Sequence, residues 1–120
     1  MAVGIGTLVG VPLLTAQVAV AHDTSASINV CGSNNEQRCG YGGVTNSHTR
    51  LYSCDTFADN AGFRAEYRLR SGATGYVDDA NGSSSGCSGI YPGTSSNPIT
   101  AFRVVWKAAG GWVYSGWYAA

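Results

Sequence analysis

Acid–base or phosphate chemistry in this chain would have to come from few residues. They are the histidines His22 and His48, and the run Arg64, Glu66, Arg68 and Arg70. A carboxylate base, arginines that fork onto phosphate oxygens and a histidine acid would suffice to cleave a phosphodiester. No histidine follows Glu66, so His48 would have to approach from an earlier strand. The plainer reading of the run is a solvated strand face with cross-strand ion pairs. Serine is plentiful, but none has the strand-turn-helix setting of a nucleophile elbow, and a triad would have to assemble from distant residues. Asp78-Asp79-Ala80-Asn81-Gly82 places oxygen ligands ahead of a glycine without the spaced ligands and terminal bidentate glutamate of a calcium loop. The sequence thus predicts no enzyme, no metal site and no cofactor.

Binding chemistry is better represented. Trp106, Trp112, Tyr114, Trp117 and Tyr118 crowd the C-terminal end. Exposed tryptophan and tyrosine stack on sugar rings or anchor a protein partner. Core is the competing use, because the large aliphatics after residue 21 are Leu51, Leu69, Ile28, Ile90 and Ile99 with a few valines. Most of the aromatics are therefore expected inside, with Trp112 and Trp117 spare for recognition. Seven basic against seven acidic residues leave no net charge. There is no basic field to recruit nucleic acid.

These residues need elements to hold them. Residues 1–21 carry no charge and end in Ala19-Val20-Ala21, the small-x-small pattern before signal-peptide cleavage. The absence of an opening lysine or arginine departs from that pattern, and an uncleaved span is the competing reading; Pro12 and the small-residue exit favour cleavage. A secreted chain starting at His22 is expected, with no membrane association after cleavage. The polar stretch 22–27 reads as a flexible arm, and 28–120 as one β-sandwich domain. Within it, residues 27–30 read as a strand ending at Cys31, 32–43 as a loop, 50–57 as a strand and 59–62 as a turn. The clearest pattern is Phe63, Ala65, Tyr67 and Leu69 alternating with Arg64, Glu66, Arg68 and Arg70, which is a strand with one dry face. A shorter strand is expected over 75–79 and a Gly/Ser loop over 81–89. The end reads as a hairpin: residues 101–108 outward, Gly110-Gly111 at the turn, residues 112–118 returning. In the first arm Phe102, Val104 and Trp106 share one face, and Arg103, Val105 and Lys107 the other.

Cys31, Cys39, Cys54 and Cys87 are an even set in an exported chain, which points to disulfides rather than zinc. Three pairings are open. Cys31–Cys39 with Cys54–Cys87 is the expected one, closing a short loop and a long one worth about 2.5 and 3.8 kcal/mol on the loop-entropy model. Short strands, Gly/Ser/Asn turns and no helical periodicity together predict an all-β fold, a small antiparallel β-sandwich or barrel stapled by two disulfides.

The export pattern, the polar arm His22-Asp23-Thr24-Ser25-Ala26, the four cysteines and the β-rich body ending in Gly110-Gly111-Trp112 resemble the adaptor subunit of bacterial umbrella toxin particles. That resemblance implies a secreted, non-enzymatic adaptor serving bacterial competition through protein–protein interaction. It would join a lectin-bearing subunit to a large toxin polypeptide. It also implies that His22, Asp23, Thr24 and Ser25 insert into the cleft of a degenerate trypsin-like domain. The alternatives are a stand-alone binding module, taking a glycan through Trp112 and Trp117 or inhibiting a protease with a loop near Cys31 and Cys39, and a small secreted ribonuclease.

Overall fold

In the computed structural model, residues 23–29, 31, 38–56, 61–79 and 86–120 are described. The expected signal peptide over 1–21, and His22, lie outside them. Among the described residues there are nine strands and no helix: β1 (Thr24–Ile28), β2 (Gly40–Thr45), β3 (Arg50–Asp55), β4 (Phe63–Leu69), β5 (Thr74–Asp79), β6 (Ser88–Ile90), β7 (Ile99–Trp106), β8 (Val113–Tyr114) and β9 (Tyr118–Ala119). They form two antiparallel sheets. The first has the order β1-β2-β3-β6; the second runs β9-β7-β4-β5, with β8 also pairing with β7. The all-β sandwich expected from the sequence is the fold.

The core lies between the sheets. Phe63, Ala65, Leu69, Val77, Phe102 and Val104 descend from the second sheet onto Ile28, Val44 and Leu51 of the first. The alternation along β4 does what period two requires: Phe63, Ala65 and Leu69 are buried, and Arg64, Glu66 and Arg68 face out. Both disulfides join the expected partners, Cys31–Cys39 and Cys54–Cys87. The first is a core element, since Cys31 and Cys39 are both buried. Two hydrogen bonds also cross between the sheets. Ser53 Oγ donates to Phe63 O at 3.1 Å, and the Asp55 N–H donates to Asp79 Oδ2 at 2.8 Å.

Several expectations need correction. Thr24 to Ser27, expected in a free arm, lie in β1 and pair with β2 from Thr24↔Val44 to Ile28↔Gly40. Main-chain pairing asks little of the side chains, and the alternating exposure along β1 turns Thr24, Ala26 and Ile28 inward. The strand expected over 27–30 therefore starts earlier and stops at Ile28. Residues 40–43, expected in a loop, form most of β2. Their glycines mark a strand over which the other sheet passes closely. A Cβ on Gly42 would lie 2.7 Å from Tyr52 O, 3.1 Å from Val104 Cγ1 and 3.2 Å from Ala65 Cβ.

The β2–β3 turn is unusual. Asn46, Ser47 and His48 all have positive φ, at 56°, 55° and 67°. Thr49 closes it, its Oγ1 donating to Asn46 O at 2.7 Å. The His48 carbonyl accepts the Ile99 N–H at 2.8 Å, which ties the turn of the first sheet to the start of β7.

Candidate functional site

The outer face of the second sheet carries the residues of interest. β4 supplies Arg64, Glu66 and Arg68. On one side β5 sets Tyr76 opposite Glu66 and Asp78 opposite Arg64; on the other β7 sets Arg103 opposite Glu66. A salt-bridge lattice follows from that register. Arg64 forks onto Asp78, with Nε–Oδ1 at 2.8 Å and Nη2–Oδ2 at 3.1 Å. Arg103 Nε lies 2.7 Å from Glu66 Oε1, and Lys107 Nζ 3.2 Å from Asp78 Oδ1. Burial would push the Asp78 carboxyl up, but hydrogen bonds from Arg64 and Lys107 outweigh it and hold the group below the ordinary carboxylate value. The bond to Asp78 likewise raises Arg64.

Over this lattice lies a layer of rings. The Arg64 guanidinium sits 3.6 Å from the Tyr76 centroid and 5.0 Å from that of Trp112, which Lys107 approaches at 5.6 Å. Beside it, Arg103 sits 4.6 Å from Tyr114 and 4.8 Å from Trp117, and Arg68 4.5 Å from Trp117. Cations and rings thus alternate in two rows, Tyr76-Arg64-Trp112-Lys107 and Tyr114-Arg103-Trp117-Arg68. Each such contact at an exposed site is worth about 0.5–1 kcal/mol, so the layer is held in place rather than loosely draped.

The sequence does not announce this layer, because it depends on a break in the closing strand. In an unbroken strand over 112–118, Tyr114 and Trp117 would point to opposite faces. The strand is instead split into β8 and β9. Ser115 Oγ accepts the Val104 N–H at 2.9 Å, and Ser115 N donates to Val104 O at 2.9 Å. This irregularity shifts the phase and brings both rings onto Arg103. It also accounts for Val105, expected on the wet face yet completely buried: it lies opposite Arg64 and Tyr114, under the ring layer. The aromatics expected inside are mostly outside. Trp112, Tyr114, Trp117 and Tyr118 are 38–48% exposed, while Trp106 packs partly against the core. Gly40 and Gly42 make this possible, since sheets that approach so closely leave no volume for more large rings.

Between the rows lies a groove of about 320 Å³ lined by Glu66, Thr74, Gly75, Tyr76, Arg103 and Trp117. Trp112 and Trp117 therefore both belong to this face. Asp23, Thr24 and Ser25 do not: Asp23 is exposed just ahead of β1, and Thr24 and Ser25 lie in that edge strand of the first sheet. Nor does the structure join His48 to Glu66. The His48 carbonyl meets Ile99, and Glu66 lies opposite Arg103, four residues or about 13 Å further along β7. Among the described residues no three His, Cys, Asp or Glu side chains cluster as a metal site would require.

Compared with known proteins, the chain matches no family model, no curated protein and no solved structure. The two disulfides fit an extracellular or otherwise oxidising location.

Proposed function

We propose that the chain is a secreted, non-enzymatic adaptor that joins subunits of an extracellular antibacterial toxin complex, one bearing a lectin and one a large toxin polypeptide. The outer face of the second sheet carries this reading. Tryptophan, tyrosine and arginine dominate binding energy at protein interfaces, and here Trp112, Trp117, Tyr76, Tyr114, Arg68 and Arg103 are preset together on a rigid sheet. Side chains already ordered in the free protein lose little entropy on docking.

An adaptor needs a second contact. The segment His22 to Ser25 is its place, entering a partner cleft from the edge strand β1 rather than as a free arm, because Thr24 and Ser25 are already extended and paired. An extended strand presented at a sheet edge is well suited to a cleft that accepts main-chain pairing. A stand-alone glycan module is less favoured. Two cations lie over each of Trp112 and Trp117, and a sugar ring stacking there would compete with them.

The test is to tag the C-terminus, collect culture supernatant and identify co-purifying proteins by mass spectrometry. Recovery of a lectin-bearing protein together with a large toxin polypeptide is expected. Trp112→Ala with Trp117→Ala should lose one of them, and deletion of residues 22–25 the other. Purification of the chain alone, from a culture secreting it at native level, would overturn the proposal.

A further inference from the structure

The charge on the ring layer is not balanced. Among the described residues this face holds four cations, Arg64, Arg68, Arg103 and Lys107, against two carboxylates, Glu66 and Asp78. Arg64 and Lys107 share Asp78, and Arg103 takes Glu66. Arg68 has no ion pair among the described residues; its guanidinium stacks on Trp117 instead. Stacking holds a guanidinium in place without neutralising it, and leaves its N–H edge free to fork onto a carboxylate. Arg103 spends its Nε on Glu66, and its terminal nitrogens appear in no other ion pair among the described residues.

One of the two excess charges, that of Arg68, lies beside the groove; the other is shared by Arg64 and Lys107 around Asp78. Arg103 and Trp117 line the groove, Arg68 stacks on Trp117, and Tyr76 stands opposite with half its surface exposed. Resting on the adaptor reading, we infer that this groove docks an extended acidic peptide segment of the partner. Its carboxylates pair with Arg68 and Arg103, and its intervening side chains lie against Tyr76 and Trp117. A polyphosphate backbone is the poorer match. Nucleic acid is held by a broad basic field, whereas this chain has zero net charge and a local excess of two. The unpaired guanidinium of Arg68 and the terminal nitrogens of Arg103 suit a short run of carboxylates.

The test uses the intact, disulfide-bonded chain and a fluorescein-labelled peptide of alternating Glu and Ala, followed by anisotropy. The same peptide with Gln for Glu, and a DNA oligonucleotide, serve as comparisons. The Glu peptide is expected to bind, the Gln peptide to bind at least about tenfold more weakly, and affinity to fall several-fold between about 0.02 and 0.2 M salt. Arg68→Gln, at an exposed position outside the salt-bridge lattice, should weaken binding several-fold while lowering the melting temperature by only the roughly 2–8 °C that one cation–ring contact accounts for. Arg68→Gln with Arg103→Gln should abolish it. Equal binding of the Gln peptide, tighter binding of DNA, no binding of the Glu peptide, or indifference to Arg68→Gln would each overturn the inference. Repeating the supernatant capture with Arg68→Gln separates the two ideas. A partner recovered equally by both forms, whatever the salt, defeats the acidic segment and leaves the adaptor standing. Peptide binding without any captured partner defeats the adaptor alone.

Discussion

Replacing Gly42 by alanine tests how closely the two sheets approach. The added methyl would meet Tyr52 O at 2.7 Å, Val104 Cγ1 at 3.1 Å and Ala65 Cβ at 3.2 Å. The first is a main-chain atom of the neighbouring strand and cannot swing away. The other two belong to short, fully buried side chains. Relief therefore requires β2 to shift against its neighbour β3 as well as away from β4 and β7, disturbing contacts within the sheet and between the sheets. Overpacking of this kind costs about 1–3 kcal/mol, and the better strand propensity of alanine returns no more than about 0.5–1 kcal/mol. A net loss near 1.5 kcal/mol should lower the melting temperature by roughly 6–12 °C in a domain of this size. The assay is thermal unfolding followed by near-ultraviolet circular dichroism, with both disulfides verified intact. Gly110→Ala is the control, since nothing lies within 4 Å of its added methyl. Adding Ala65→Gly to Gly42→Ala should recover only part of the loss, because the Tyr52 carbonyl remains. A Gly42→Ala protein that melts with the Gly110→Ala control would refute the reasoning.

Other outcomes follow from the same geometry. Mild reductant should open Cys54–Cys87 before Cys31–Cys39, because Cys87 is exposed while Cys31 and Cys39 are buried; the step should cost up to about 3.8 kcal/mol, and alkylation of Cys31 first, read by mass spectrometry, would contradict it. Since the Asp78 carboxyl is held below its ordinary value when folded, its stabilising contribution is complete above about pH 4 and is lost as pH falls through the depressed folded value. Asp78→Asn should flatten that acid limb in urea titrations at stepped pH; an unchanged slope would show that the fork from Arg64 contributes nothing. Ser115→Ala removes the acceptor of the Val104 N–H and should cost about 1–2 kcal/mol, with loss of tryptophan near-ultraviolet ellipticity as Trp117 leaves Arg103. Gly72→Ala at φ 95° should cost about 1 kcal/mol in chemical denaturation for conformational reasons alone, as its methyl would meet nothing within 4 Å.

Where a physical rule acts on neighbouring residues, the sequence was legible. Period two along residues 63–70 sets which face of β4 is dry whatever lies against it, because successive side chains in a strand must alternate. The short Cys31–Cys39 loop with the longer Cys54–Cys87 loop was similarly readable, as was Gly110-Gly111 as the turn after β7. Trp112 and Trp117 could be singled out as spare aromatics, and Arg64, Glu66 and Arg68 as a charged face.

The rest was settled by contacts between distant parts of the chain. Gly40 and Gly42 look like loop residues until another sheet lies over them; only then is the missing side chain a requirement for close approach. Thr24 to Ser27 look like an arm until β2 offers its edge, since main-chain hydrogen bonds leave no signature in side-chain type. The candidate site depends most on tertiary structure. Alternation through residues 112–118 would separate Tyr114 from Trp117, and it is the Ser115–Val104 pairing that reverses the phase, stacks both rings on Arg103 and buries Val105 beneath them. Local rules set which residues could point outward. The long-range pairing of β7 with β8 and β9 decided which of them meet, because a phase shift is a property of two strands in register and not of either one alone.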